Sequence, residues 1–377
     1  MKKALIATSV ASMIDQFNIP DILLLQQLGY EVDVAANFDS PGSITKERAE
    51  KLLERLCAMG VGVINTPVPR SITALGGMLR SYRMLKRLGK EKKYDLVHCH
   101  SPIGGAITRL AFRKARAGGT RVIYTAHGFH FFEGAPLKNR LIFYPVEKLC
   151  SRYTDVLITI NREDYQAAKE KLNAGRVEYI PGVGIDTARF SDRADAREKR
   201  AELGIGEESR VILSVGELNE NKNHRAVIKA LANLNSDVCY VVAGKGALLD
   251  ELRSLAKELG VSDRVYLLGY REDVCALYGA ADLFVHVSYR EGLPVSVMEA
   301  MASGLPVVAS SIRGNVDLID ENGGALVSPD DTEGLTAAIR EILSDREKQE
   351  KMGAHNREAS KKYSTATVGE MLKEIYG

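Results

Sequence analysis

Short runs of β-branched and aliphatic residues alternate with longer stretches of helical periodicity along almost the whole chain. KALIATS, EVDVAAN, VGVINT, DLVHCH, RVIYTAH and DVLITI read as strands in the first half. VILSVG, CYVVAG, RVYLLG, LFVHVS, PVVASS and GALVSP do so in the second. They are apolar at nearly every position rather than at every other one, the pattern of strands in a parallel sheet covered by helices on both faces. The rhythm breaks once: in 179–208, Pro181, Gly182 and Gly184 precede a charge-rich segment without a strand pattern. The expected fold class is α/β, with two Rossmann-like domains, residues 1–185 and 186–377, whose parallel sheets face across a cleft. The last helix, about 363–377, is a candidate to pack back on the first domain.

Length and composition agree with this: 377 residues suit two domains, and 45% apolar with 27% charged residues exclude a disordered chain. There is no apolar run long enough to span a membrane, and the opening MKKALIATSVASMIDQ meets Asp15 too early for a signal peptide. The expected location is cytoplasmic. Five cysteines, Cys57, Cys99, Cys150, Cys239 and Cys275, are widely spaced with no CxxC pair. They read as small buried hydrophobes rather than bridges or zinc ligands.

Charge changes the picture more. The net charge of +2 hides a basic first half, with 27 Lys and Arg against 17 Asp and Glu in residues 1–180, and an acidic remainder. In 71–93, Ile72, Leu75, Met78, Leu79, Tyr82, Leu85 and Leu88 share a helical face, while Arg80, Arg83, Arg87 and Lys90 line another. Arg109, Arg113, Lys114, Arg116 and Arg121 form a second basic cluster without acids. The expected partner is an anionic membrane surface, with the protein peripheral on the inner face of the cell membrane. Nucleic acid is not expected, because aromatic residues do not alternate with the basic ones.

Ligands of open parallel sheets gather beyond the carboxyl ends of the strands. The richest such segment is YREGLPVSVMEAMASGLPVVASS, 289–311, where Glu299 is the only charged side chain between Gly292 and Ile312. Pro294 suits a helix start and Gly304 its stop. A carboxylate kept in so apolar a helix needs a hydrogen-bonding partner. Glu291 and Glu299, separated by roughly 8–10 Å of helix rise, are spaced to grip opposite ends of one elongated ligand, with the free N–H groups of the helix start as an anion site between them. His98 and His100 lie on one strand face, but the sequence offers no third ligand at plausible spacing, so no metal is expected. Gly244-x-Gly246 lacks the third glycine of a dinucleotide fingerprint.

The spacing EGLPVSVME followed by A-x-A-S-G-x-P-V-V-A-S resembles the retaining glycosyltransferases of family 4, which have the GT-B fold. VGELNENKNH (215–224), VVAGKGALLDEL (242–252), LLGYREDVCALYGAAD (267–282) and RGNVDLIDENGGALVSP (313–329) extend the resemblance over nearly all of 205–345. DLVHCHSPIGG, TAHGFHFF and IPGVGIDTARF look like the branch that builds capsular, exopolysaccharide or O-antigen units. The resemblance implies transfer of a hexose or HexNAc from a UDP-sugar, held mainly by the second domain, to a soluble or lipid-linked sugar such as an undecaprenyl-diphosphate sugar. No cofactor and no metal are expected, and no Asp-x-Asp motif occurs.

Carried over residue by residue, the catalytic groups would be Glu291 at the transferred sugar, His127 at that sugar or the donor phosphate, and Lys222 on the pyrophosphate. Donor binding would involve Glu299 on the ribose, Gly216, Glu217, Lys245, Tyr270 and Arg271 near the base, and Gly292, Leu293, Pro294 and Val295. Ser12, Asp15 and His100 would face the acceptor. The sequence departs from the family by having Glu217 where an arginine normally partners the lysine, which leaves Arg271, Lys245 or Arg225 to supply that charge. Two other classes share the fold: a nucleotide-sugar 2-epimerase, which would convert UDP-GlcNAc without acceptor, and a non-catalytic glycosyltransferase-like subunit, disfavoured by the presence of Glu291, Glu299 and Lys222.

Overall fold

In a computed structural model that describes residues 1–191 and 196–377, the apolar runs form thirteen strands in two wholly parallel sheets. The first half supplies β1 (Lys2–Val10), β2 (Tyr30–Asn37), β3 (Gly62–Asn65), β4 (Leu96–His100), β5 (Arg121–Ala126), β6 (Val156–Thr159) and β7 (Arg176–Tyr179). Their order is β3-β2-β1-β4-β5-β6-β7. The second half supplies β8 (Arg210–Val215), β9 (Val238–Ala243), β10 (Val265–Leu267), β11 (Leu283–His286), β12 (Val307–Ser310) and β13 (Gly324–Val327), ordered β10-β9-β8-β11-β12-β13. β7 was not expected: it is a short edge strand, half-exposed along its length, so it lacks the continuous apolar signature of its neighbours.

The chain forms two units, one of Met1–Gly184 with Val368–Gly377 and one of Ile185–Thr367. The helix Thr365–Tyr376 therefore ends in the first unit, where Val368, Leu372, Ile375 and Tyr376 join the core containing Ile6, Ile22 and Val34. Successive residues of β1 serve opposite faces, with Ile6 in that core and Leu5 and Ala7 in the other, which also holds Val97, Phe112 and Tyr124. Ile6 pairs with Val34 on one side and His98 on the other, which puts the strand-order reversal between β1 and β4. In the second unit the reversal lies between β8 and β11, joined through Leu283↔Ile212 and Phe284↔Leu213. In each unit the connecting loops diverge there, leaving a crevice at the carboxyl ends.

The helices Leu75–Glu91, Pro102–Ala117 and Leu137–Ser151 form a layer on the Leu5 face of the first sheet. Two expectations about this layer fail. Arg109 is not on the surface: it is fully buried, its guanidinium 2.9 and 3.1 Å from the Glu147 carboxylate and stacked 3.8 Å above the Tyr124 ring. Its neighbours are also committed, Arg113 to the Tyr82 hydroxyl at 2.7 Å and Arg116 to Asp155 at 2.8 Å. The apolar face of 72–88 is split, because Leu85 is buried while Ile72, Leu75 and Leu79 are exposed. All five cysteines are free, and Cys57 departs from expectation by lying exposed on the helix Lys46–Ala58.

Candidate functional site

At the carboxyl end of β8 the chain turns through Gly216 and Glu217 into a single 3-10 turn, Glu220–Lys222, capped by Asn219 Oδ1, which accepts from the Lys222 N–H at 3.0 Å. Asn221 ties this turn to the loop after β11: its backbone oxygen accepts from Tyr289 N at 2.8 Å, and its Nδ2 donates to the Arg290 oxygen at 2.9 Å. These links bring Lys222 Nζ to 2.7 Å from Glu291 Oε1. His286 Nε2, from the end of β11, reaches the same oxygen at 3.2 Å, and Arg313 Nε donates to the Glu291 backbone oxygen at 3.1 Å. Burial alone would raise the Glu291 carboxyl, but the His286 hydrogen bond and the Lys222 charge outweigh it and hold it well below the usual range. Burial, with Lys222 adding to it, pushes His286 down, so that ring is neutral.

Glu299 sits in a different environment. The helix Val295–Ala302 begins after Pro294 and places Glu299 Oε2 at 3.0 Å from the Tyr278 hydroxyl, whose single hydrogen is shared with the Ser296 oxygen at 2.9 Å. Here burial wins, and the carboxyl is pushed up to about 7. Glu291 and Glu299 thus differ in proton affinity because one has an ammonium and an imidazole bonded to it, whereas for the other the Tyr278 phenol and the charge of Arg189 do not offset burial. Gly292 and Val295 are half-buried around the helix start, and Leu293 and Pro294 are buried.

The turn after β9 packs against the turn after β8 at main-chain distance. An added Cβ at Gly244 would overlap the Gly216 carbonyl, and one at Gly246 the backbone of Leu218. Lys245 O accepts from Leu218 N at 2.9 Å, and Gly244 N donates to Gly269 O at 2.8 Å. These contacts set Gly216, Gly244 and Gly269 side by side at the rim.

Two of the three residues proposed to supply the charge of an arginine at 217 are engaged in ion pairs in this structure. Arg271 is bound to Asp273 at 2.7 Å and to Glu202 at 2.9 Å, and Arg225 to Glu220 at 2.5 Å and to Glu251. Lys245 and Tyr270 are exposed, with the ammonium 5.6 Å from the Tyr270 ring centre, and the Glu217 side chain is exposed too. His286, Tyr278 and Arg313 were missed from the sequence. Phe284 and His286 share one face of β11, with Ser288 just beyond its end, which is the signal a strand-end histidine leaves, but the partner that makes it functional comes from a loop.

In the first unit, His100 at the end of β4 and His127 after β5 meet, with His100 Nδ1 3.1 Å from His127 Nε2. Asn18 and Asp21 reach the same place from the segment after β1. Asp21, His98 and His100 bring possible ligand atoms within 4.8 Å of one another, so a third ligand exists that sequence spacing could not reveal. The ring nitrogens are already partnered, however: His98 by Tyr376 Oη and Thr125 Oγ1, both at 2.8 Å, and His100 by His127 and Asn18, both at 3.1 Å. The arrangement is a hydrogen-bonded chain rather than a set of open metal ligands. Ser12 is buried, with its N–H bonded to the Pro41 oxygen, and Asp15 is paired with Arg48 at 2.6 Å. Arg80, Arg83, Arg87 and Lys90 are exposed on the helix Leu75–Glu91.

Comparison with known proteins matches residues 195–359 to the model described as glycosyl transferases group 1, and 23–189 to glycosyltransferase family 4. The chain is 36% identical to EpsD of Bacillus subtilis (strain 168), covering 100% of this chain and 96% of that protein. It is 31% identical to a UDP-Gal:α-D-GlcNAc-diphosphoundecaprenol α-1,3-galactosyltransferase of Escherichia coli, over 74% of this chain and 73% of that one. Among solved structures, Anabaena Alr3699/HepE in complex with UDP superposes with a TM-score of 0.79 at 20% identity, covering 100% and 99% of the two chains. The fold is GT-B.

Proposed function

The chain belongs to the family 4 glycosyltransferases of GT-B fold, and from that premise we propose that it is a retaining, metal-independent hexosyl- or HexNAc-transferase of bacterial surface polysaccharide synthesis. The donor is a UDP-sugar held by the second unit, and the acceptor a sugar carried on a diphosphate lipid. The cluster of Lys222, Glu291, His286 and Arg313 carries this reading. It places fixed positive charge beside a carboxylate held ionised, at the crevice where a diphosphate would leave. Stabilising that departing charge is the main electrostatic demand of the reaction, and cations already gathered at the site can meet it with only a small side-chain movement.

Lys222 Nζ, now on Glu291, would turn to the diphosphate, with Arg313 beside it and the N–H groups of Val295 and Ser296 at the helix start as further donors. Glu299 would accept from the ribose hydroxyls and Glu291 from the transferred sugar. The acceptor hydroxyl attacks the face from which the diphosphate departs and passes its proton to the leaving oxygen, so no protein nucleophile is needed. The relatives support the substrates: the Escherichia coli protein is named for UDP-Gal and a diphosphoundecaprenol-linked sugar. Among the described residues no helix is long and apolar enough to cross a membrane. Contact with the lipid acceptor would then use the exposed face of the first unit.

The test is transfer of labelled sugar from a panel of UDP-sugars to a GlcNAc-diphospholipid, alongside a thermal-shift screen of UDP, GDP and ADP. UDP at a hundred times its Kd should stabilise by about 2.7 kcal/mol. A shift with ADP or GDP alone, or release of inverted product, would overturn the assignment.

A further inference from the structure

We propose that Asp21 and Asn18, acting through His100, fix the tautomer of His127, so that His127 meets its substrate as a hydrogen-bond donor through Nδ1. Asn18 and His100 are positioning residues in this role. The substrate part rests on the reading that His127 faces the transferred sugar or the donor phosphate; the tautomer part does not.

Four side chains form one line. Asp21 Oδ2 lies 2.8 Å from Asn18 Nδ2, and the same Nδ2 lies 3.1 Å from His100 Nε2. His100 Nδ1 lies 3.1 Å from His127 Nε2. Burial lifts the Asp21 carboxyl to about 7, so above that pH it is ionised and has no hydrogen to give, and the Asn18 amide must present its NH2 to it. The second hydrogen of that NH2 then points to His100 Nε2, which has to accept it. A neutral imidazole carries one proton, so His100 holds its own on Nδ1 and donates it to His127 Nε2. His127 must therefore keep its proton on Nδ1.

Both rings are neutral, since burial pushes His100 well below its ordinary value and His127 down to about 4. The Asn18 amide oxygen is buried without a hydrogen-bond partner among the described residues. An amide free to choose would not leave its oxygen so; it holds this orientation because Nδ2 answers two acceptors at once. His127 is half-buried, and its Nδ1 has no hydrogen-bond partner among the described residues. The ring thus offers one N–H, while its lone pair is occupied. It can hold an oxygen of the substrate but cannot take a proton from it.

The test is the two-bond 1H–15N spectrum of the full-length protein labelled with [15N]histidine, with His127→Asn to assign the signal. It is recorded at pH 8, above the value of about 7 to which burial lifts Asp21, whose facing groups are Asn18, His98, His100 and Tyr376. The expected spectrum shows His127 protonated at Nδ1 and bare at Nε2. Protonation at Nε2, an even mixture or an imidazolium overturns the proposal. Asn18→Leu removes the donor to His100 Nε2, which frees that ring to take the Nε2–H form neutral imidazole prefers in water and so to turn His127 over as well. A His127 signal unchanged in a folded Asn18→Leu protein would remove Asn18 from the chain. If that variant does not fold, the wild-type spectrum alone still decides. Because no substrate is present, failure of the glycosyl-transfer reading would leave this result standing, and the reverse.

Discussion

Burial lifts the Glu299 carboxyl to about 7 even though the Tyr278 hydroxyl donates to it. Its folded value thus lies above the ordinary 4.5, so the folded protein holds a proton that the unfolded chain has lost. The stability this confers is present below 4.5 and is lost as the pH rises through about 7. A ribose hydroxyl that donates to Glu299 selects the ionised form and pulls the opposite way. UDP should therefore bind about tenfold more tightly at pH 8 than at pH 6, as the ionised fraction rises from about a tenth to nine tenths. Calorimetry on Glu299→Gln isolates this from the titration of UDP itself: the variant should bind about tenfold more weakly at pH 8 and lose the extra pH dependence. An identical pH profile in both proteins would show that Glu299 does not hold the ribose. Glu291, ionised throughout by His286 and Lys222, should behave otherwise. Glu291→Gln should leave UDP affinity within about threefold but depress kcat severely, because its contact changes on the way to the transition state. Equal loss of UDP affinity in both variants would refute the division of roles. Glu299 was legible from the sequence because an apolar helix isolates it, and Glu291 because it stands just before that helix at the carboxyl end of a strand. Their opposite proton affinities were not, since Tyr278, His286 and Lys222 arrive from three other segments.

At the scale of elements, legibility followed burial. Strands covered on both faces announce themselves as unbroken apolar runs, whereas β7, with only Val177 and Tyr179 to offer a half-covered edge, does not. The basic faces were legible as charge but not as surface: Arg109 lies inside, and its Glu147 partner is 38 residues away on another helix. The helix layer of the first unit instead shows a feature that periodicity hid. Leu137 and Leu141 are 70% and 67% exposed on the helix Leu137–Ser151, joined by Ile142, Val146 and Leu149. Lys138, Arg140 and Lys148 flank them, and Leu75 and Leu79 stand exposed on the helix Leu75–Glu91 beside Arg80 and Arg83. Apolar side chains rimmed by cations suit the interface of an anionic bilayer. Two variants separate the contributions. Reversal of Arg80, Arg83, Arg87 and Lys90 to Glu should abolish co-sedimentation with phosphatidylglycerol vesicles at low salt, where the charge term is least screened. Leu137→Ser with Leu141→Ser should weaken the binding that survives at high salt. Vesicle binding unchanged in both variants would return these helices to the role of a solvated layer.

At the scale of the whole molecule, the chain leaves the first unit at Gly184 and returns to it at Val368, so ten residues at the very end complete a core begun at residue 4. Tyr376 is anchored there at both ends, its hydroxyl 2.8 Å from His98 Nδ1 and its carbonyl 3.3 Å from the Tyr30 hydroxyl. The second unit does not share this dependence, because its core draws on residues between Ile212 and Met352. Burial of Val368, Leu372, Ile375 and Tyr376 is worth about 1.5–3 kcal/mol for each apolar side chain. Their sum is comparable with the whole stability of an ordinary domain, about 5–15 kcal/mol. Ending the chain after Thr367 should therefore unfold the first unit and spare the second. Hydrogen exchange would show this as lost protection in β1, β4, β5 and β6 with protection kept in β8, β9, β11 and β12, and UDP would still bind. The milder Ile375→Ala, costing about 2–5 kcal/mol, should lower only the first of two unfolding transitions in urea. Loss of protection in both units together, or full protection in the truncated chain, would mean that the terminal helix does not carry the first unit's core.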